Sequence, residues 1–362
     1  MNIEHLFTDN PYQLERSRKQ EVLQKILNEL TIKHMTQCEA YRSILSALPP
    51  DVASPFSYEQ IPMLPVRMFK LHELFSVPRA SIIKTLTSSG TTSQTVSRIY
   101  LDKDTASLQT KALVSILKSF IGHKRYPMIL VDSSDVIKNR SSFSARGAGL
   151  LGLAFVGKDH FYLLDENMNV KLDDLQIFLD KHKGQQILIF GFTFMIWQYF
   201  YLPLLRKNLV LNLNDSILIH SGGWKKLTEL AVDNPTFKNK LQEQFGIKQI
   251  HNFYGMVEQI GSVFMECDQG HLHAPDFADI IVRDPYTLQP LLANQTGIVQ
   301  VLSVLPNSYP GHSLLTEDLG TVLGEDDCKC GRKGKYFTIS GRLPASELRG
   351  CSDTHAYNQV NE

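Results

Sequence analysis

Between about Pro11 and Leu48 the apolar positions recur every three or four residues: Val22, Leu23, Ile26, Leu27 and Leu30 fall on one face, and Pro49 and Pro50 stop the pattern. This spacing predicts a helical region over about residues 1–50. Beyond it, short apolar runs at Met128 to Val131, Gln186 to Phe190, Ser216 to His220 and Gln249 to Phe253 alternate with amphipathic stretches. Runs of that length between helices read as buried strands, so an α/β core is expected over about 51–275. After roughly Asp276 the strand candidates crowd together as ADIIVRD, TGIVQVLSV and GTVLG, separated by Pro, Gly and Asn turns. A β-rich subdomain over about 276–340 follows, because little room is left for helices. The last stretch, 341–362, is polar and aperiodic and is expected to be a short tail.

Composition narrows the picture. The chain of 362 residues is 43% hydrophobic, enough for one large domain or two ordinary ones. Its 37 Lys plus Arg balance 37 Asp plus Glu, so no net field draws it to nucleic acid or a membrane surface, and a small molecule or a protein is the expected partner. The N-terminal MNIEHLFTDNPYQLERSRKQ lacks the apolar centre of a signal peptide, and no apolar run reaches the ~18 residues that span a bilayer. A cytoplasmic protein without a membrane span is therefore expected.

The five cysteines of such a protein do not suggest a disulfide framework, and the close pair Cys328 and Cys330 asks for metal or redox chemistry. With Cys267 and His273 they make a Cys₃His set suited to a structural zinc, and His271 is the substitute ligand.

The segment KTLTSSGTTSQTVSR carries the most chemistry. Ser88, Ser89, Gly90, Thr91, Thr92 and Ser93 place hydroxyls and a glycine directly after a short strand candidate. Hydroxyls and free backbone N–H groups suit phosphate oxygens, and glycine lets the backbone approach closely. No lysine follows in the position of a GxxxxGK[ST] loop, and on composition alone a solvated linker stays open.

TSSGTTS resembles the phosphate loop of the adenylate-forming superfamily, which includes acyl-CoA synthetases, luciferases and peptide-synthetase adenylation domains. Further segments match in order: Phe253-Tyr254-Gly255-Met256-Val257-Glu258 resembles YGxTE, Leu315-Thr316-Glu317-Asp318-Leu319 resembles TGD, and Ser340-Gly341-Arg342 resembles the GR before the hinge. Ser221-Gly222-Gly223-Trp224 follows a strand where the family sets a glycine-bearing loop against the nucleotide. The resemblance implies an adenylate-forming fold using ATP and Mg²⁺. Ser89, Gly90, Thr91 and Thr92 would hold phosphates, Gly222, Gly223, Tyr254 and Gly255 would meet the nucleotide, and Asp318 would bind the ribose hydroxyls. Glu258 would help bind Mg²⁺ and, with Arg342, counts among the catalytic residues. Carboxylates accept hydroxyl hydrogens and ligate Mg²⁺, and an aromatic face stacks on a purine.

Two departures stand out. Ser93, Gln94, Thr95 and Val96 replace the usual continuation of the phosphate loop, with Arg98 as a substitute charge. The mobile C-terminal domain that follows the GR hinge in most of the superfamily is expected to be largely absent, since the sequence stops at Glu362. That ending, with Arg349-Gly350-Cys351-Ser352-Asp353 close to it, resembles the LuxE family of acyl-protein synthetases. The resemblance implies that a fatty acid becomes acyl-AMP, that the acyl group moves to Cys351, and that a partner acyl reductase takes it on. Phenylacetate-CoA-ligase-like enzymes share Glu266-Cys267, Leu272-His273 and Cys328-Lys329-Cys330-Gly331-Arg332, so a free acyl-CoA ligase is one alternative. A non-catalytic nucleotide-binding scaffold is the other. Phe190, Phe192 and Phe194 lie where related enzymes line the acyl pocket, and pocket and core remain open for them.

Overall fold

The structure, a computed structural model, describes residues 3–47, 55–88, 96–138, 145–224 and 229–343. In chain order the elements used below begin with helices α1 (Arg16–Gln37) and α2 (Glu39–Ser46), the hairpin β1 (Lys84–Thr87) and β2 (Arg98–Leu101), and helix α3 (Lys103–Ile121). Strand β3 (Tyr126–Ser133), helix α4 (Ala145–Ala154), strand β4 (Gly157–Leu164), helix α5 (Leu172–Lys181), and strands β5 (Ile187–Phe192) and β6 (Ser216–Ser221) come next. Helix α6 (Asn234–Phe245) precedes β7 (Gln249–Tyr254), β8 (Leu272–His273), β9 (Ala278–Arg283), β10 (Thr296–Ser303), β11 (Ser313–Glu325) and β12 (Lys335–Arg342).

Two compact units result. The first combines described residues up to Thr87, those from 96 to Gly122, and those from Tyr254 to 343. Its sheet runs antiparallel in the order β8-β12-β11-β10-β9, and the short strand Leu64–Pro65 joins it by pairing parallel to β11. The N-terminal helical region consists of two helices, because Cys38 sits in extended backbone (φ −119°, ψ 102°) between α1 and α2. The face of α1 predicted from spacing is the buried one, and it also buries Lys19 and His34.

The second unit is built from His123–Phe253. Its five strands run parallel in the order β4-β3-β5-β6-β7. β3, β5 and β6 are buried at every position, as strands covered on both faces must be. The strand order reverses at β3, and open sheets of this kind bind ligands beyond the carboxyl ends of their strands near such a reversal. Phe192 ends β5 there: a Cβ at Gly149 would lie 3.1 Å, and one at Gly222 3.3 Å, from its ring. Phe190, Phe192 and Phe194 are all buried, and the latter two belong to this unit's apolar core.

Candidate functional site

The sheet register of the first unit builds the candidate nucleotide site. Asp318 on β11 stands directly opposite Arg342 on β12, and the arginine Nε donates to Asp318 Oδ1 at 3.0 Å. Tyr254 at the end of β7 donates its hydroxyl to the other oxygen, Oδ2, at 2.7 Å. The backbone N–H of Asp318 is satisfied by the Thr316 hydroxyl at 3.1 Å, which fixes the carboxylate's base. Burial, and after it the Asp318 carboxylate, pushes the Tyr254 phenol well above its ordinary pKa, so it stays a hydrogen-bond donor. Burial opposes the charge of Arg342 but is outweighed by Asp318, which keeps the guanidinium cationic. Asp318 is held by one cation and one phenol, and Arg342 remains half-exposed beside it.

Glu258 lies in the turn Val257–Gln259 and is buried. Burial raises its carboxyl pKa, while the Ser97 hydroxyl, a backbone N–H, Lys70 and Arg342 pull the other way. A buried carboxylate of this kind gains from a cation, which fits the Mg²⁺ role. Gly255 is half-buried between Tyr254 and this turn. In the second unit, Gly222 and Gly223 are exposed directly after β6, and Gly222 takes φ +83°, where a side chain would be strained. Ser89, Gly90, Thr91 and Thr92, and also Cys351, lie outside the described residues.

Cys267, His273, Cys328 and Cys330 form a separate cluster whose candidate ligand atoms all lie within 4.8 Å of one another. Burial pushes the Cys328 thiol up to about 12 and lowers the His273 imidazole to about 3. His271 lies beside them, with Nδ1 3.6 Å from Cys328 Sγ.

Comparison with known proteins decides the family. Residues 2–359 match the family described as acyl-protein synthetase, LuxE. The chain belongs to this family. It is therefore a ligase. It is 22% identical over 360 residues to the long-chain-fatty-acid–luciferin-component ligase of Aliivibrio fischeri, covering 96% of this chain and 91% of that protein. The Vibrio harveyi protein of the same name is 29% identical over 153 residues, 41% of this chain and 39% of its own. A solved 2-hydroxyisobutyryl-CoA ligase, in an open conformation with 2-HIB-AMP and CoA, superposes with a TM-score of 0.71 at 17% identity, covering 93% of this chain and 79% of its own. The fold of this LuxE family member is thus the α/β fold of the adenylate-forming ligases.

Several residues of this LuxE family member escaped the sequence reading. Thr316 was seen only as part of a motif, yet it orients the Asp318 backbone and also donates to Val299 O at 2.7 Å. Lys70 acts on Glu258 without belonging to any motif, and Ser97 does so from the end of the KTLTSSGTTSQTVSR segment, where the sequence assigned it no role. Arg67, which donates to Glu317 next to Asp318 at 3.0 Å, gave no signal either. Among the described residues no helix is long and apolar enough to cross a membrane.

Proposed function

We propose that this chain activates a long-chain fatty acid with ATP and Mg²⁺, transfers the acyl group to its own Cys351, and passes it to a partner acyl reductase. The observation that carries the reading is the Asp318 carboxylate held by Tyr254 at 2.7 Å and Arg342 at 3.0 Å, in a chain of the LuxE family. A carboxylate fixed in this way is preorganised to accept two ribose hydroxyls, with Tyr254 beside it for the adenine face. The names of the two curated relatives support a long-chain acid as substrate.

In the first step an oxygen of the fatty carboxylate attacks the α-phosphorus of ATP, and pyrophosphate leaves. Glu258 would hold Mg²⁺, which would supply charge neutralisation for the phosphates, and Ser89, Gly90, Thr91 and Thr92 would cradle them. In the second step the Cys351 thiolate attacks the acyl carbon, the carbon–oxygen bond to AMP breaks, and a thioester remains. Residues 341–362 then act as the carrier of the acyl group, attached to a catalytic region of 1–340. Zinc has no part in these steps, because the Cys267, His273, Cys328 and Cys330 cluster shares no residue with them.

The test incubates the protein with ATP, Mg²⁺ and radiolabelled long-chain acid, with and without coenzyme A. Wild type is expected to release pyrophosphate without coenzyme A and to carry a label removed by neutral hydroxylamine. Cys351→Ser should keep adenylation and lose that label. Asp318→Ala should slow adenylation by about ten- to a few thousand-fold, since it removes charge-assisted contacts worth about 1.5–3 kcal/mol each. A Cys351→Ser protein with the full hydroxylamine-sensitive label overturns self-acylation. Thioester formation only with coenzyme A would mark a free acyl-CoA ligase, and no pyrophosphate at all a scaffold.

A further inference from the structure

The Cys/His cluster has the dimensions of a metal centre. Cys267 Sγ lies 4.0 Å from Cys328 Sγ, and Cys330 Sγ lies 3.3 Å from His273 Nε2. A tetrahedral zinc with Zn–S about 2.3 Å and Zn–N about 2.0 Å sets its ligand atoms about 3.5–3.8 Å apart. The observed pairs bracket that range, so small side-chain adjustments complete the tetrahedron.

The backbone around the cysteines is shaped for thiolates. Cys267 and Cys328 each open a tight turn, closed by the N–H of Gly270 and Gly331 donating at 2.9 Å to the respective carbonyls. Both glycines need the left-handed region, at φ +80° and +82°. The N–H groups of Gln269 and His271 face Cys267 sulfur, that of Cys330 faces Cys328, and that of Arg332 faces Cys330. Such donors favour sulfur as an acceptor, which is its form as a metal ligand. The sheet brings the parts together, because β8 pairs with β12 in the register Leu272↔Phe337 and His273↔Tyr336.

The surroundings also match the charge of the complex. Three thiolates, a neutral imidazole and Zn²⁺ sum to one negative charge, and the Arg332 side chain reaches Cys330. That guanidinium is held over the Phe120 ring at 3.9 Å and donates to Ser119 O at 3.1 Å. The rings of Tyr12 and Tyr336 flank His273 at 6.2 and 5.8 Å and fix its plane.

We propose that Cys267, His273, Cys328 and Cys330 bind one structural Zn²⁺ that clasps the 267–273 segment to the 328–336 segment. On binding, any protonated thiols release their protons to solvent and no electrons move. The site is independent of the acyl-transfer reading, since it uses none of the same residues.

Full-length protein expressed with added zinc and purified without chelator is analysed for zinc and iron by mass spectrometry. About one zinc per chain is expected, released by a mercurial that titrates thiols. Cys328→Ser and Cys330→Ser should each fall to a small fraction of that, while Cys38→Ser retains it. Should the cysteine variants fail to fold, cobalt replaces zinc in the wild type, and thiolate-to-cobalt charge-transfer bands with tetrahedral ligand-field bands are expected. Zinc below about a tenth of an equivalent, one iron per chain, a Cys267–Cys328 disulfide in the purified protein, or zinc retained by both variants would each overturn the proposal.

Discussion

The two units differ in how much charge their interiors hold, for the parallel unit buries Asp132 on β3 whereas the antiparallel unit buries a network of charges. In the unit of parallel strands the core is aromatic and aliphatic, with Ile189, Phe200, Leu218 and Leu241 almost wholly covered. In the unit of antiparallel strands charges lie in the interior. Lys19 and Asp279 are both fully buried with Nζ and Oδ1 3.9 Å apart, and Lys335 reaches the same carboxylate at 3.1 Å. Tyr58 donates its hydroxyl to that carboxylate as well, and Lys19 also donates to Ala274 O at 2.9 Å. Apolar packing tolerates small changes of shape, whereas a buried charge network depends on every member being present. The unit that holds Tyr254, Asp318 and Arg342 is the one specified by such a network.

The sharpest way to break that contrast is Asp279→Ala. Burial opposes the charge on Asp279, but Lys335, Lys19 and the Tyr58 hydroxyl outweigh it and hold the carboxyl below its ordinary pKa. Removing the carboxylate strands Lys19 in the interior and leaves Lys335 without its ion-pair partner. A loss of about 3–5 kcal/mol is expected, read by denaturant unfolding and by faster amide exchange in β9 and β10. A cost below about 1 kcal/mol would mean that the network contributes little to this unit.

Acid sharpens the comparison next. His34 and His312 stack at 5.0 Å in the antiparallel unit, where Thr31, Ser76 and Pro306 O accept or donate around them and Lys33 adds like charge. Burial lowers both imidazoles, His312 to about 3 and His34 well below the ordinary value. The parallel unit has His220, lowered by burial to about 3. Each is neutral when folded and binds a proton when unfolded below about 6.5, so stability is complete above that pH and falls on acidification towards the folded value. The slope is about 1.4 kcal/mol per pH unit for each histidine. Denaturant midpoints followed from pH 7 to 5 are therefore expected to fall, and His312→Gln should remove one histidine's share of the slope. An unchanged slope in that variant would place the acid sensitivity elsewhere.

Much of the parallel unit was legible because its chemistry is local. The runs from Met128, Gln186, Ser216 and Gln249 fall within or one residue outside β3, β5, β6 and β7, and the first three of these strands are buried throughout, as strands covered on both faces must be. β4 was missed because GKDHFYLL begins with exposed polar residues on an edge strand. The antiparallel unit hid more. Its motif residues Asp318 and Arg342 were visible, but their pairing is a matter of register across 24 residues, which no spacing rule supplies. The buried Lys19 and His34 were visible in principle. Positions 19, 23, 26, 27, 30 and 34 share one face of α1, so a lysine and a histidine were already aligned with the apolar stripe. Their partners, Asp279 and His312, lie more than two hundred residues away and could not be read from that pattern.

The smallest expected effect tests whether the units differ in packing as well as in charge. Ile189 on β5 and Ile280 on β9 are both fully buried in strands, with Ile129 and Leu218 beside the first and Val301 beside the second. Ile→Val at either place removes one methylene from a close-packed site, and about 0.5–1.5 kcal/mol is expected for each. Neither substitution removes a hydrogen-bonding group, since the bond from Lys335 Nζ to Ile280 O at 2.7 Å involves only backbone at that position. The two tryptophans, Trp197 and Trp224, both lie in the parallel unit, so their fluorescence reads the Ile189→Val variant there, while amide exchange in β9 and β10 reads Ile280→Val. If the interiors differ only in their charge networks, the two costs agree within about 0.5 kcal/mol and neither varies between pH 5 and 8. A cost at Ile280 several times that at Ile189 would show that the charge network also constrains the packing around it. The antiparallel unit would then be the less tolerant of the two even at positions that carry no charge.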